Sequence, residues 1–149
     1  MSDSDLIKLY SGRILELAAD VPLTERLQAP DASAKKRSPL CGSTVTVDVA
    51  LTNGQISGFG QDVKACALGQ AAAAVVGANI IGRTRAEVEA ARDQLQAMLK
   101  ADGPAPEAPF AELAVLLPAK DFKNRHASIM LTLEATADAM AEAEKAQCA

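Results

Sequence analysis

Large aromatic side chains are scarce in this sequence: no tryptophan, one tyrosine and three phenylalanines among 149 residues. A core without big rings has to be filled by aliphatic side chains and alanine, so close helix packing is expected. Histidine occurs once, as His126, and no Ser–His–Asp arrangement can be argued from it. No apolar run approaches the roughly 18 residues that a membrane-spanning helix needs. The first residues, MSDSDLIKLY, lack the basic and then apolar regions of a secretory signal, so a cytoplasmic, non-membrane protein is expected. The three cysteines are an odd number, which argues against a disulfide framework in a reducing compartment. Nor is there an excess of positive charge. The net charge is −4, which excludes nonspecific nucleic-acid binding as a main role. The one basic run, Lys35-Lys36-Arg37, reads as a solvated loop face. Gly58-x-Gly60 is too short a signal for a phosphate-cradling loop.

What is present orders into one domain over 1–149, with a Pro-rich loop at 103–109 and a frayed tail at 146–149. Leu6, Ile7, Tyr10, Ile14 and Leu17 recur at helical spacing between Asp5 and Asp20, with Asp3 or Ser4 as the N-cap. Val21 to Leu40 holds three prolines and reads as an irregular connection. Thr44 to Leu51 alternates, with Val45, Val47, Val49 and Leu51 on one side, and is a strand. Asn53-Gly54 supplies a type I′ turn, and a return strand runs to about Lys64. Gly58 and Gly60 mark a bulge or a close backbone approach.

Ala67 to Ile81 is expected to be helical, packing through Leu68, Ala71, Ala72, Val75 and Asn79 and closed by Gly82. Thr84 and Glu87 form a capping box for a helix to Lys100 that buries Val88, Ala91, Leu95, Met98 and Leu99. Phe110 to Leu117 makes a short helix or turn. A last helix from near Asn124 carries Met130, Leu133, Ala137 and Met140 on one face. Helices covering an antiparallel sheet give an α+β fold.

The hairpin acts as a ruler. With Asn53 and Gly54 as a two-residue loop, paired positions add to 107, and so do Cys41 and Cys66. The turn therefore sets the two cysteines opposite each other at the open end, where cross-strand Cβ atoms lie about 4.5–5.5 Å apart. Two thiolates at that spacing can share a metal ion with bonds of about 2.3 Å. A bulge at either glycine would slip the register by one. Cys66 also directly precedes the helix at Ala67, whose free N–H groups favour a thiolate, and Lys64 could add positive potential. The alternative is that both cysteines are small buried apolar side chains. Ser43 is a further neighbour on the Cys41 strand, and His126 matters only where the last helix returns to the open end of the hairpin.

Ser38-Pro39-Leu40-Cys41-Gly42-Ser43 resembles the N-P-x-C-G-D motif of the IscU/SufU/NifU-type iron–sulfur cluster assembly scaffold family. The valine strand, the Asn-Gly hairpin and the helix start Cys66-Ala67-Leu68-Gly69-Gln70-Ala71 match the same family. Arg125-His126-Ala127-Ser128-Ile129-Met130 is similar to its third motif, L-H-C-S-x-L. The resemblance implies a small antiparallel three-stranded sheet with helices packed on one face. It implies a site for an iron–sulfur cluster or iron, with zinc as the alternative, and sulfur supplied by a cysteine desulfurase. Cys41 and Cys66 stand at the first two cysteine positions and His126 at the neighbouring histidine. Ser43 stands at the aspartate position and Ala127 at the third cysteine, which leaves a Cys₂His set. A fourth ligand would come from Cys148, water or a partner.

Three functions follow from this reading. The first is a scaffold or carrier, a binding module that passes a cluster to acceptor apoproteins. The second is a sulfur-transfer protein in which Cys41 accepts persulfide sulfur. The third is a paralogue that acts through protein contacts alone.

Overall fold

The computed structural model describes residues 11–40 and 42–148. The Asp3 or Ser4 cap, the start of the first expected helix and Cys41 lie outside the described residues. Helix α1 spans Gly12–Ala19 and begins at its own N-cap, Ser11, whose hydroxyl accepts from the Ile14 N–H. Within the described residues, the helix expected from Asp5 to Asp20 starts at Gly12, after the extended backbone and serine cap of Ser11.

Three strands follow, β1 (Ala32–Arg37), β2 (Thr44–Thr52) and β3 (Gln55–Lys64), forming one antiparallel sheet in that order. The alternating valines of β2 behave as their pattern requires: Val45, Val47 and Val49 are fully buried beneath the helices. Asn53 and Gly54 take positive φ at the hairpin turn. Strand β1 corrects the expectation of an irregular 21–40 segment, because Ala32 pairs with Val49 and Arg37 with Thr44. Lys35, Lys36 and Arg37 are thus not loop residues. They belong to an edge strand whose side chains alternate between half-buried and exposed, and charge on such an edge opposes pairing with other chains.

The register also differs from the simple ruler. Leu51 pairs with Ile56, but Ala50 pairs with Gly58, so Ser57 is the extra residue of a bulge. Beyond it, paired positions add to 108, as at Thr44 and Lys64. Extended past the last pair, that register sets Cys66 opposite Gly42, one residue from the expected partner. Gly60 answers to the other reading, a close approach. The segment 21–31 crosses the outer face of the sheet there, and a Cβ at Gly60 would collide with the Glu25 carbonyl oxygen. The segment is anchored by Asp48, whose fully buried carboxylate accepts from Arg26 Nε at 2.6 Å, Arg26 Nη2 at 2.9 Å, Leu27 N at 3.0 Å and Ser33 Oγ at 2.5 Å.

On the inner face lie α2 (Ala67–Asn79), α3 (Arg85–Lys100), a 3-10 helix (Ala111–Asp121) and α4 (Lys123–Cys148). Helix α2 is buried almost all round from Leu68 to Gly77, which its alanines permit. It stops two residues short of Ile81, and Gly82 closes a turn onto β3 by donating its N–H to Ile56. Helix α3 starts at the full Thr84–Glu87 capping box and buries Val88, Ala91, Leu95, Met98 and Leu99 as its spacing requires. Helix α4 packs across β1 and β2 and against α2, with Met130, Leu133, Ala137 and Met140 buried. Fully buried Gln61 ties these parts together. Its amide donates to the carbonyls of Pro22 and Ala73 and accepts from Thr132. The fold is the expected α+β arrangement, a three-stranded antiparallel sheet with helices on one face and a chain segment on the other.

Candidate functional site

Two loops and two helix starts converge at the end of the sheet. The first loop, between β1 and β2, is closed by Ser38 N–H donating to the Ser43 carbonyl at 2.8 Å, with Gly42 N–H donating back to Ser38 at 3.0 Å. Ser38 and Ser43 are buried, whereas Leu40 between them is 74% exposed. Gly42 takes φ +71°, which glycine adopts without steric cost. This loop carries Cys41.

Cys66 is the N-cap residue of α2 and is half-buried. Burial works against its thiolate, but four effects together outweigh it. They are the Gly69 N–H, the Ser128 hydroxyl, the Leu68 N–H and the positive charge of Arg125, and they hold the pKa below its ordinary value. The helix-start reasoning from sequence thus has a structural counterpart. The cation involved is Arg125 from α4, whereas the Lys64 side chain is 75% exposed and lies nearest Asp62.

The first turns of α4 supply the rest of the site. Ser128 Oγ lies 3.5 Å from Cys66 Sγ and donates to Ser43 Oγ at 3.2 Å, linking the β1–β2 loop, α2 and α4 through side chains. Helices α2 and α4 approach closely enough for this because residue 69 is glycine. A Cβ there would meet Ser128 Oγ at 2.7 Å and Ala65 Cβ at 2.8 Å. Sequence reasoning noted Ser43 but missed Ser128. The available signal was a serine placed among the buried residues of the last helix.

His126 is buried, with Nε2 lying 2.9 Å from the Ala119 carbonyl and 3.0 Å from that of Lys120. Carbonyls only accept, so Nε2 carries a hydrogen donated toward them. His126 and Ala127 line a cleft of about 650 Å³ that they share with Leu40, Leu99 and Lys120. The same cleft therefore joins the neighbour of Cys41 to the positions following Arg125. Among the described residues, which omit Cys41, no three His, Cys, Asp or Glu side chains come together as a metal-ion cage.

Cys148 stands at the far end of α4. At 1.5 Å rise per residue it is about 33 Å along the axis from His126, beyond reach of this site within one chain.

No protein-family model matches the chain, and no curated protein matches it. Among solved structures it is similar to a nitrogen-fixing NifU-like protein (N-terminal) from Brucella abortus, with 45% identity, a TM-score of 0.92, and coverage of 95% of this chain and 98% of that one. It also shares its fold with a protein from the thermophile Fervidobacterium islandicum AW-1, described as a candidate iron–sulfur cluster assembly scaffold for the SUF system. That match has 18% identity, a TM-score of 0.81, and coverage of 90% of this chain and 98% of that one.

Proposed function

The chain belongs to the IscU/SufU/NifU-type family, as a relative of NifU-like N-terminal domains, and on that premise we propose that it is an iron–sulfur cluster assembly scaffold or carrier. In this reading it is a binding module, not an enzyme, and its cargo is a metal ion or labile cluster held through Cys41 and Cys66. The observation that carries the proposal is the setting of Cys66. It is half-buried at a helix N-terminus, and N–H groups, a serine hydroxyl and an arginine favour its thiolate. That is the form in which cysteine ligates iron or zinc. His126 is the third ligand, through Nδ1, while its Nε2–H is held by the carbonyls of Ala119 and Lys120.

Two thiolates and an imidazole suit iron or zinc by ligand softness. A cluster ligated only by cysteine needs four thiolates. With Cys148 remote along α4, the remaining positions fall to water or to a group from a partner. The register of the hairpin, extended past Thr44 and Lys64, sets Gly42 opposite Cys66. Sulfur would come from a cysteine desulfurase, and the cluster would pass to acceptor apoproteins.

Anaerobic incubation with iron, cysteine and a desulfurase tests this reading. The wild-type chain is expected to develop a cluster absorption band that is lost in both Cys41→Ala and Cys66→Ala. A wild type that takes up neither iron nor sulfide would overturn it. Sulfur mass added to Cys41 without any cluster would favour the sulfur-transfer function instead.

A further inference from the structure

The cleft beside His126 is bounded by three helix ends and one loop. Lys100 closes α3, Lys120 and Asp121 close the 3-10 helix, Lys123 opens α4, and Leu40 comes from the β1–β2 loop. Its charge runs against that of the chain: three ammonium groups and one carboxylate line it, in a protein of net charge −4. Lys120 is ion-paired with Asp102. Lys100 and Lys123 have no carboxylate at ion-pair distance among the described residues, and Lys100 acts on half-buried Glu134 only at longer range. Between these cations the walls are apolar. Leu99 is buried, Ala127 is half-buried and Leu40 is exposed. Water against such walls finds few hydrogen-bond partners. The cleft therefore suits a solute with an apolar stretch and negative charge, and its volume of about 650 Å³ is that of a small-molecule site.

Position narrows the class of solute. His126 shares the wall with Ala127, and Leu40 directly precedes Cys41, so two of the three ligand segments border the cleft. Three ligands leave a fourth position open, and the methyl of Ala127 offers no donor to it. Resting on the reading of Cys41, Cys66 and His126 as ligands, we propose that the cleft binds a small anionic thiol. Its carboxylates lie on Lys100 and Lys123, and its sulfur takes the open position on the cargo metal. The thiol gives its proton to solvent as the sulfur–metal bond forms, and nothing is oxidised or reduced. Exposed ammonium groups hold such an anion loosely, so this ligand exchanges when an acceptor protein offers its own thiolate.

Glutathione, a tripeptide thiol with two carboxylates, is the probe, and S-methylglutathione separates its charge from its sulfur. In an NMR titration of the full chain without metal, both are expected to bind alike and to shift the methyl signals of Leu40, Leu99 and Ala127. Lys100→Ala and Lys123→Ala should each weaken both probes about 2- to 5-fold, the scale of an exposed ion pair, and the double variant about 10-fold. Both lysines are exposed, so the fold does not depend on them. Cobalt(II), with protein in excess, then reads the sulfur. Glutathione should intensify the thiolate-to-cobalt charge-transfer band of the wild type, S-methylglutathione should not, and the double lysine variant should lose most of the gain at the same glutathione concentration.

Glutathione that does not bind the metal-free chain, or binds regardless of the two lysines, would overturn the proposal and leave the ligand reading intact. So would an equal band with both probes, which would make the cleft an anion site whose occupant never reaches the metal. A wild type that binds no cobalt with or without glutathione would remove the ligand reading, and the role of the thiol with it.

Discussion

Replacing Gly69 with alanine tests how tightly the site depends on the contact between α2 and α4. Two effects oppose each other. Alanine in place of glycine within a helix ordinarily stabilises by about 0.5–1 kcal/mol. Here the new methyl would stand 2.7 Å from Ser128 Oγ, 2.8 Å from Ala65 Cβ and 3.1 Å from the Ser128 carbonyl oxygen. Two of those neighbours belong to helix backbone or to a side chain without freedom to turn away. The helices must therefore part, and overpacking of this kind costs about 1–3 kcal/mol. Gly69 lies in the first turn, where the propensity gain is smallest, so the clash wins and the net loss is about 1–2 kcal/mol. In urea the midpoint should fall by about 1 M with little change in slope. The parting also lengthens the 3.5 Å Cys66–Ser128 contact. A Gly69→Ala protein that is more stable than wild type would refute the close-approach argument and the geometry built on it.

Two further substitutions probe how the sheet is held beneath the site. Asp48→Ala leaves Leu27 N–H, Ser33 and Arg26 without their shared acceptor and should cost about 2–4 kcal/mol in a denaturant melt, part of it softened because Arg26 can turn to water. Burial raises the Asp48 pKa, but Arg26, Ser33 and the Leu27 N–H outweigh it and lower it overall. Its contribution is therefore present above the usual carboxylate range and lost as pH falls below about 4 through the lowered value. Asp48→Asn should flatten that acid limb, and an acid limb as steep as wild type would count against the assignment. Gln61→Ala strands the carbonyls of Pro22 and Ala73 and the Thr132 hydroxyl, at about 2–4 kcal/mol by thermal or chemical denaturation. A loss below 1 kcal/mol would mean that water replaces the amide.

Local pattern carried much of the fold. Alternating valines and Asn-Gly were enough to place β2, its turn and the start of β3, and the Thr84–Glu87 box located α3 to the residue. Strand β1 was illegible because Ala-Ser-Ala-Lys-Lys-Arg has no β-branched residue, and its inward positions are two alanines and a lysine stem. Asp48 looked like an outward polar residue. Only the segment folded over the outer face, which periodicity cannot reveal, buries it. The bulge fell at Ser57 and not at either glycine, and one extra residue changed every pair beyond it.

At the site, Cys66 was legible because its chemistry is local to a helix start. Ser128 and Arg125 were not legible as its partners, because their approach depends on a helix crossing about sixty residues away in sequence. His126 was singled out by being the one histidine, but its bonds to Ala119 and Lys120 depend on a 3-10 helix longer than the expected turn.

The central claim is that Cys41 and Cys66 hold a metal-containing cargo, and metal analysis of protein purified without exposure to oxygen tests it most directly. Iron or zinc should co-purify with the wild-type chain, be absent from Cys66→Ala and Cys41→Ala, and leave a less stable protein when removed by a chelator. A metal-free wild type, equally stable with and without chelator, would contradict the claim and leave a family member that works through protein contacts alone.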